Sequence, residues 1–396
     1  MAATAHADPY AIFMRKIGYS VGLESTLHRV NDLVATYLRD GDVSLASWDR
    51  LVSGPDHWDL KTTNIADVFR SLGLIHRTAG DVLVLENLDA MAIAGTLLQR
   101  PSEIAEARAF LLLWAILVND GEIFVNVLLA GFKDRNIEKV LTTMMHQKRS
   151  ALASVAKGKE SIARINRIIN IDRQVSNRGS AGAGRSVGSL RRTEPLRSSS
   201  SRFRPNGRSD EIVFSDDYFR KVPPRRRDWA RDLGLWEDEL GLTQRGKDFV
   251  RALRVSGYVD AQGVFTFWPM DYELRRSGLH SNLLPEAPKS LWTTLLDFAD
   301  AYSGRALSET SGSDPSEAVT LLRQIIAVYR RLHVRKGMLR RELPILVAYP
   351  VLVACASATR SSVVNMPDAI AAEQSGMRRI AFRRSRNMGG ALTIKT

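Results

Sequence analysis

The residues in this chain best suited to a chemical task are arginines. Arg225, Arg226, Arg227 and Arg231 crowd a short stretch around Trp229 and Leu233. A guanidinium group is permanently charged and forks onto phosphate oxygens or guanine edges, so the cluster points to nucleic-acid contact rather than to bond-making. Arg245 and Lys247 follow in the next periodic segment, and Arg378, Arg379, Arg383, Arg384 and Arg386 stand near the end of the sequence. These eleven residues are the expected nucleic-acid-binding set.

Other chemistry finds no support. The seven histidines (His6, His28, His57, His76, His146, His280 and His333) show no paired metal-ligand spacing. There is no Gly-x-Ser-x-Gly elbow, and the single cysteine, Cys355, lies in an apolar run, where a structural thiol is the default. Gly179–Ser186 has phosphate-loop spacing, but Arg185 replaces the lysine and no buried strand precedes it. Asp120 with Glu122 could hold a cation, although a solvated turn is the plainer reading. No catalytic residue, metal or cofactor is assigned, and the expectation leans away from an enzyme.

The elements that must position the arginines read as follows. In PPRRRDWARDLGLWEDELGLTQRGKDFVRAL, Pro223 and Pro224 stop what precedes them, and a short helix starts near Pro224. Gly234 suits a left-handed C-cap. Leu235-Trp236 and Leu240-Gly241-Leu242 flank Glu237-Asp238-Glu239 as a small hairpin, and Thr243 caps a helix from Gln244 to Leu253. Arg226 and Arg227, about 100° apart on the helix, both face outward while Trp229 and Leu233 face inward.

This order of helix, Leu-Gly-Leu, hairpin, Leu-Thr-x-x-Gly and helix resembles the core of winged-helix DNA-binding modules. The resemblance covers about thirty residues. It implies that helix Arg225–Leu233 enters the major groove and that the turn Glu237–Glu239 lies over the backbone or minor groove. Three acids at the wing tip depart from basic wings, and the family's first helix would fall near an Arg-rich linker. A weaker echo spans 44–98, where Leu72-Gly73-Leu74 stands in the place of Leu233-Gly234-Leu235. Its helix carries only Arg70, so it reads as a packing or partner-binding copy.

Charge is confined. Asp172–Asp210 holds nine arginines against three acids, and Met377–Thr396 holds five arginines and one lysine with no acid. Each segment is +6, so together they carry 12 of the net +13. Both read as unstructured arms that grip a polyanion, because few apolar residues offset their chain entropy. The expected organisation is an N-terminal helical domain (1–171), a disordered linker (172–210), a winged-helix-like module (211–269), a C-terminal helical domain (270–376) and a basic tail (377–396). Val264–Trp268 reads as a strand, Asp134 as a helix cap and Asn119-Asp120-Gly121 as a turn. The fold class is mainly α and multidomain, with one or two winged-helix-like modules carrying small β-hairpins.

The start lacks a signal-peptide pattern. Ala109–Val118 and Pro344–Ala358 fall short of the ~20 apolar residues that span a bilayer. With one cysteine no internal disulfide forms, and a cytoplasmic location is expected. The resulting expectation is a non-catalytic DNA-binding protein, a regulator or DNA-targeting subunit of a bacterial-type assembly. Its partners would be DNA, duplex favoured with RNA open, and other proteins, but no membrane. The alternatives are a scaffold using winged helices for protein contacts and an accessory subunit of a nuclease or helicase. Limited proteolysis should cut first within Ser176–Arg208, since a low-complexity backbone fits a protease cleft. Protection of that segment would mean it is folded.

Overall fold

The structure, a computed structural model, describes residues 23–52, 69, 72–77, 82–132, 136–144, 147, 216–261, 263–265, 291–303, 315–332, 338–340, 343–354, 365–366, 368–370, 380–385 and 388–394. It is mainly helical with small antiparallel sheets. The linker 172–210 lies outside the described residues.

Helix α1 (Leu23–Asp40) presents Val30, Leu33, Val34 and Tyr37 to the interior at three- and four-residue steps. It ends at Gly41, whose φ of 68° admits the left-handed turn. Buried at its far end, the Tyr37 hydroxyl donates to Asp89 at 2.5 Å. Burial first, and the Asp89 carboxylate second, push the phenol well above its ordinary pKa. Ser44 caps α2 (Leu45–Val52), its Oγ accepting from the amide of Ser47 at 3.0 Å.

A glycine–hairpin–helix unit then occurs twice, and in the second a described helix precedes it. In the first, β1 (Ile75–Arg77) pairs with β2 (Val82–Val84) and leads into α3 (Glu86–Leu97). In the second, Arg225–Asp232 runs into β3 (Trp236–Glu237), β4 (Gly241–Leu242) and α6 (Gln244–Val255). Leu74 donates its amide to Phe69 at 2.9 Å and accepts from Leu85 at 2.8 Å; Leu235 donates to Ala230 at 2.7 Å and accepts from Thr243 at 3.2 Å. Gly73 and Gly234, with φ of 67° and 70°, make the same turn one residue earlier. The backbone therefore repeats what the Leu-Gly-Leu echo suggests.

Between the two units, α4 (Pro101–Phe132) is apolar almost all round and buried. It bends by 104° between Pro101–Leu117 and Asp120–Phe132, where the turn signal stands. Residues 137–144 form a further helix, capped by Asn136, whose Oδ1 accepts from the amides of Glu138 and Lys139 at 2.8 and 3.3 Å. Asp134, the expected cap, lies outside the described residues.

Helix α5 (Asp216–Asp232) corrects the reading of the prolines. It begins before Pro223-Pro224 and runs through them. The prolines remove two amide donors without ending the helix, a tolerated defect because packing over-determines the segment. Of the expected strand Val264–Trp268, Phe265 makes an antiparallel bridge to Val259, and residues 266–268 lie outside the described residues. Helix α7 (Leu291–Ser303) and α8 (Pro315–Leu332) follow, the latter with proline at its first position and Glu317 in its first turn.

Helix α9 (Leu343–Ala354) is buried on nearly every side and packs on α3, α4 and α7. One hydrophobic core joins residues from Val30 to Ile370. Residues from all three folded segments expected from the sequence join this one interior, because each contributes an apolar face that must be buried.

The basic tail is also corrected. Ile380–Ser385 (β6) and Met388–Ile394 (β7) form a hairpin that pairs with β5 (Met338–Arg340) in the order β5-β7-β6. Leu339, Leu392 and Phe382 share one row, and Arg340, Ala391 and Arg383 the next. Cross-strand pairing with β5 and within the hairpin thus gives a basic segment its strand partners. Among the described residues no single helix is long and apolar enough to cross a membrane. The bent α4 pair meets that test by length and composition alone, and its side chains are largely buried in the protein core.

Gly246 tests the second unit. Thr243 caps α6 through a 3.0 Å bond from the Gly246 amide, and a Cβ at 246 would stand 2.1 Å from the Leu235 carbonyl oxygen. Gly246→Ala should therefore destabilise the protein by about 1–3 kcal/mol in denaturant unfolding, despite alanine's better helix propensity. A stabilised variant would show that the hairpin does not dock there.

Candidate nucleic-acid interface

The arginine cluster is assembled on α5 after the prolines. Its buried positions are Arg226, Trp229, Ala230 and Leu233, a stripe at steps of three, four and seven. Arg226 is thus on the inward face, and only Arg225 and Arg227 are exposed. The expectation that Arg226 faces a groove is overturned, because helical spacing from Trp229 and Leu233 places it with them.

Arg226 Nε donates to Asp120 Oδ2 at 2.6 Å, and both side chains are 0% exposed. The guanidinium also lies 4.4 Å from the centroid of Trp229. Asp120 opens the second arm of α4, and the positive end of a helix dipole favours an anion. The reading of Asp120 and Glu122 as a solvated turn or a cation site is corrected as well: both are buried, and Asp120 is neutralised by arginine.

The other arginines are engaged within the protein. Arg225 pairs with Asp228 at 3.2 Å. Arg231 reaches Asp238 at 2.6 Å and Asp228 at 3.3 Å, so one of the hairpin acids holds the helix. That hydrogen bond to Asp238 raises the Arg231 pKa further. Arg245 pairs with Glu106, donates to the Tyr302 carbonyl at 2.8 Å and stacks 3.7 Å from the Tyr302 ring. It ties α6 to α4 and α7. The Tyr302 phenol is raised by burial, with Arg245 opposing and Glu106 assisting.

Arg227 is exposed, 6.0 Å from the centroid of Trp236. Lys247 is half-buried on α6. Arg383 and Arg384 stand in β6, apart from the α5 cluster in sequence and secondary structure, and Arg378, Arg379 and Arg386 lie outside the described residues. Among the described residues no group of three His, Cys, Asp or Glu could hold a metal.

Two organising residues carry little signal in the sequence. Glu106 gives none beyond its charge. Asn126, fully buried, donates to the Phe265 carbonyl at 2.8 Å and accepts from the Phe265 amide at 2.9 Å, taking the place of a strand partner. Its only sequence signal is an amide inside an apolar helix face.

Comparison with known proteins finds no matching family model, no matching curated protein and no matching solved structure.

Arg226 and Arg227 should separate cleanly in stability measurements. Arg226→Ala removes the counter-charge of the buried Asp120 carboxylate and should cost about 3–5 kcal/mol. Arg227→Ala should stay within about 0.5 kcal/mol of wild type. Equal melting temperatures for the two variants would place Arg226 in solvent.

Proposed function

We propose that this protein is a non-catalytic, nucleic-acid-binding scaffold whose electrostatic grip lies in its two basic segments. In this reading the two glycine–hairpin–helix units are winged-helix-like modules used for packing and partner contact. One observation carries it: 12 of the net +13 charges fall in Asp172–Asp210 and Met377–Thr396. The burial of Arg226 and the half-buried pairing of Arg245 support the same division. Counterion release needs cations at the contact surface, and a guanidinium neutralised by a carboxylate gives up little.

A second reading, a scaffold binding only proteins, is favoured by those internal pairs, since they remove the cations that would read a groove.

The test keeps β6 and β7 in place. Changing Arg378, Arg379, Arg383, Arg384 and Arg386 to glutamine preserves strand-compatible side chains and removes five charges. Affinity for duplex DNA, single-stranded DNA and RNA should fall. The slope of log K against log salt should flatten by up to about 0.9 for each phosphate that is no longer neutralised. An unchanged affinity and slope would remove the tail from the interface, and no binding to any nucleic acid at low salt would leave the protein-only scaffold.

A further inference from the structure

At the end of α4, aromatic and cationic side chains from separate segments come together. Trp236 of β3 lies against Gly131: a Cβ there would stand 2.3 Å from Cζ3 and 2.5 Å from Cη2 of the indole. Those atoms form the outer edge of the benzo ring, so the indole enters edge-first and Gly131 covers neither face. Arg227 sits 6.0 Å from the indole centroid. The next residue of α4, Phe132, has the Arg251 guanidinium of α6 5.8 Å from its ring centroid. Both rings are half-buried, and both arginines are exposed.

We infer that Trp236 and Phe132, flanked by Arg227 and Arg251, form a stacking platform for unpaired bases of a single-stranded nucleic acid. The inference rests on the nucleic-acid reading above and adds a strand preference to it. Aromatic faces and guanidinium planes both receive a nucleobase, and the stacking tolerates any sequence because every base has a π-face. A duplex hides those faces within its own stack. Among the described residues, the neighbouring acids Asp238, Glu237 and Asp248 do not close the patch. Asp238 is held by Arg231, and Glu237 alternates to the opposite face of β3 from Trp236. Asp248 pairs with Arg251 at 2.9 Å, an exposed pair that salt and a competing phosphate can exchange.

The platform is tested on the full chain by fluorescence anisotropy with a labelled oligothymidylate and a labelled duplex of equal length. Wild type should bind the single strand more tightly. Trp236→Leu, and separately Arg227→Gln with Arg251→Gln, should weaken single-strand binding roughly tenfold and leave duplex binding nearly unchanged. Trp236 packs partly into the core, so the arginine pair carries the test should the tryptophan variant unfold. Photocrosslinking with bromodeoxyuridine in the oligonucleotide should label the peptides holding Trp236 and Phe132. Unchanged single-strand affinity in the arginine variant, with crosslinks only elsewhere, overturns the platform and spares the nucleic-acid reading. Absence of binding to any nucleic acid at low salt overturns both. Competition by polyglutamate but not by oligothymidylate would assign the patch to an acidic protein instead.

Discussion

The architecture depends on one buried ion pair. Asp120 and Arg226 meet at 2.6 Å with no solvent exposure, across 106 residues of sequence. Moving both charges out of water costs several kcal/mol each, and only close geometry offsets that cost. The pair therefore constrains its surroundings more than it stabilises them. It seats α5 in the corner where α4 bends, with Trp229 beneath the guanidinium. From that seat the hairpin reaches Gly131, and α6 follows onto α7.

Other polar contacts repeat this cross-chain logic at lower cost. Asn126 completes the hydrogen bonding of the Phe265 backbone, Gln147 donates to Asp260 at 2.6 Å, and Arg245 links Glu106 to Tyr302. Each joins a residue before position 150 to one after 240, so the halves of the chain interlock through specific polar partners as well as apolar area. A cation used this way is fixed in place and largely neutralised, which divides the protein between a self-paired body and strongly basic segments.

The two glycine–hairpin–helix units show how one backbone solution accepts different chemistry. Both use a left-handed glycine followed by a leucine that bridges the preceding segment and the next cap. In the first unit the Asn87 side chain donates to the Leu72 carbonyl at 2.6 Å; in the second the Thr243 hydroxyl donates to Gly234 at 2.8 Å and also caps α6. Position and hydrogen-bonding capacity matter here more than residue identity.

Local signals were legible in the sequence wherever one segment decided the outcome. The glycines marked both turns, Thr243 marked the α6 cap, and Asn119-Asp120-Gly121 marked the bend. Composition located the charge. What required the tertiary structure was the fate of each charge, because partners lie far apart in sequence: Arg226 with Asp120, Arg245 with Glu106, and Arg231 with the hairpin acid Asp238. Inward placement of Arg226 was readable from its spacing to Trp229 and Leu233, but the carboxylate that permits its burial was not. The prolines of α5 and the strands of the tail were decided in the same way. Packing and cross-strand pairing from distant segments outweighed the local preference to break a helix or to remain uncompacted.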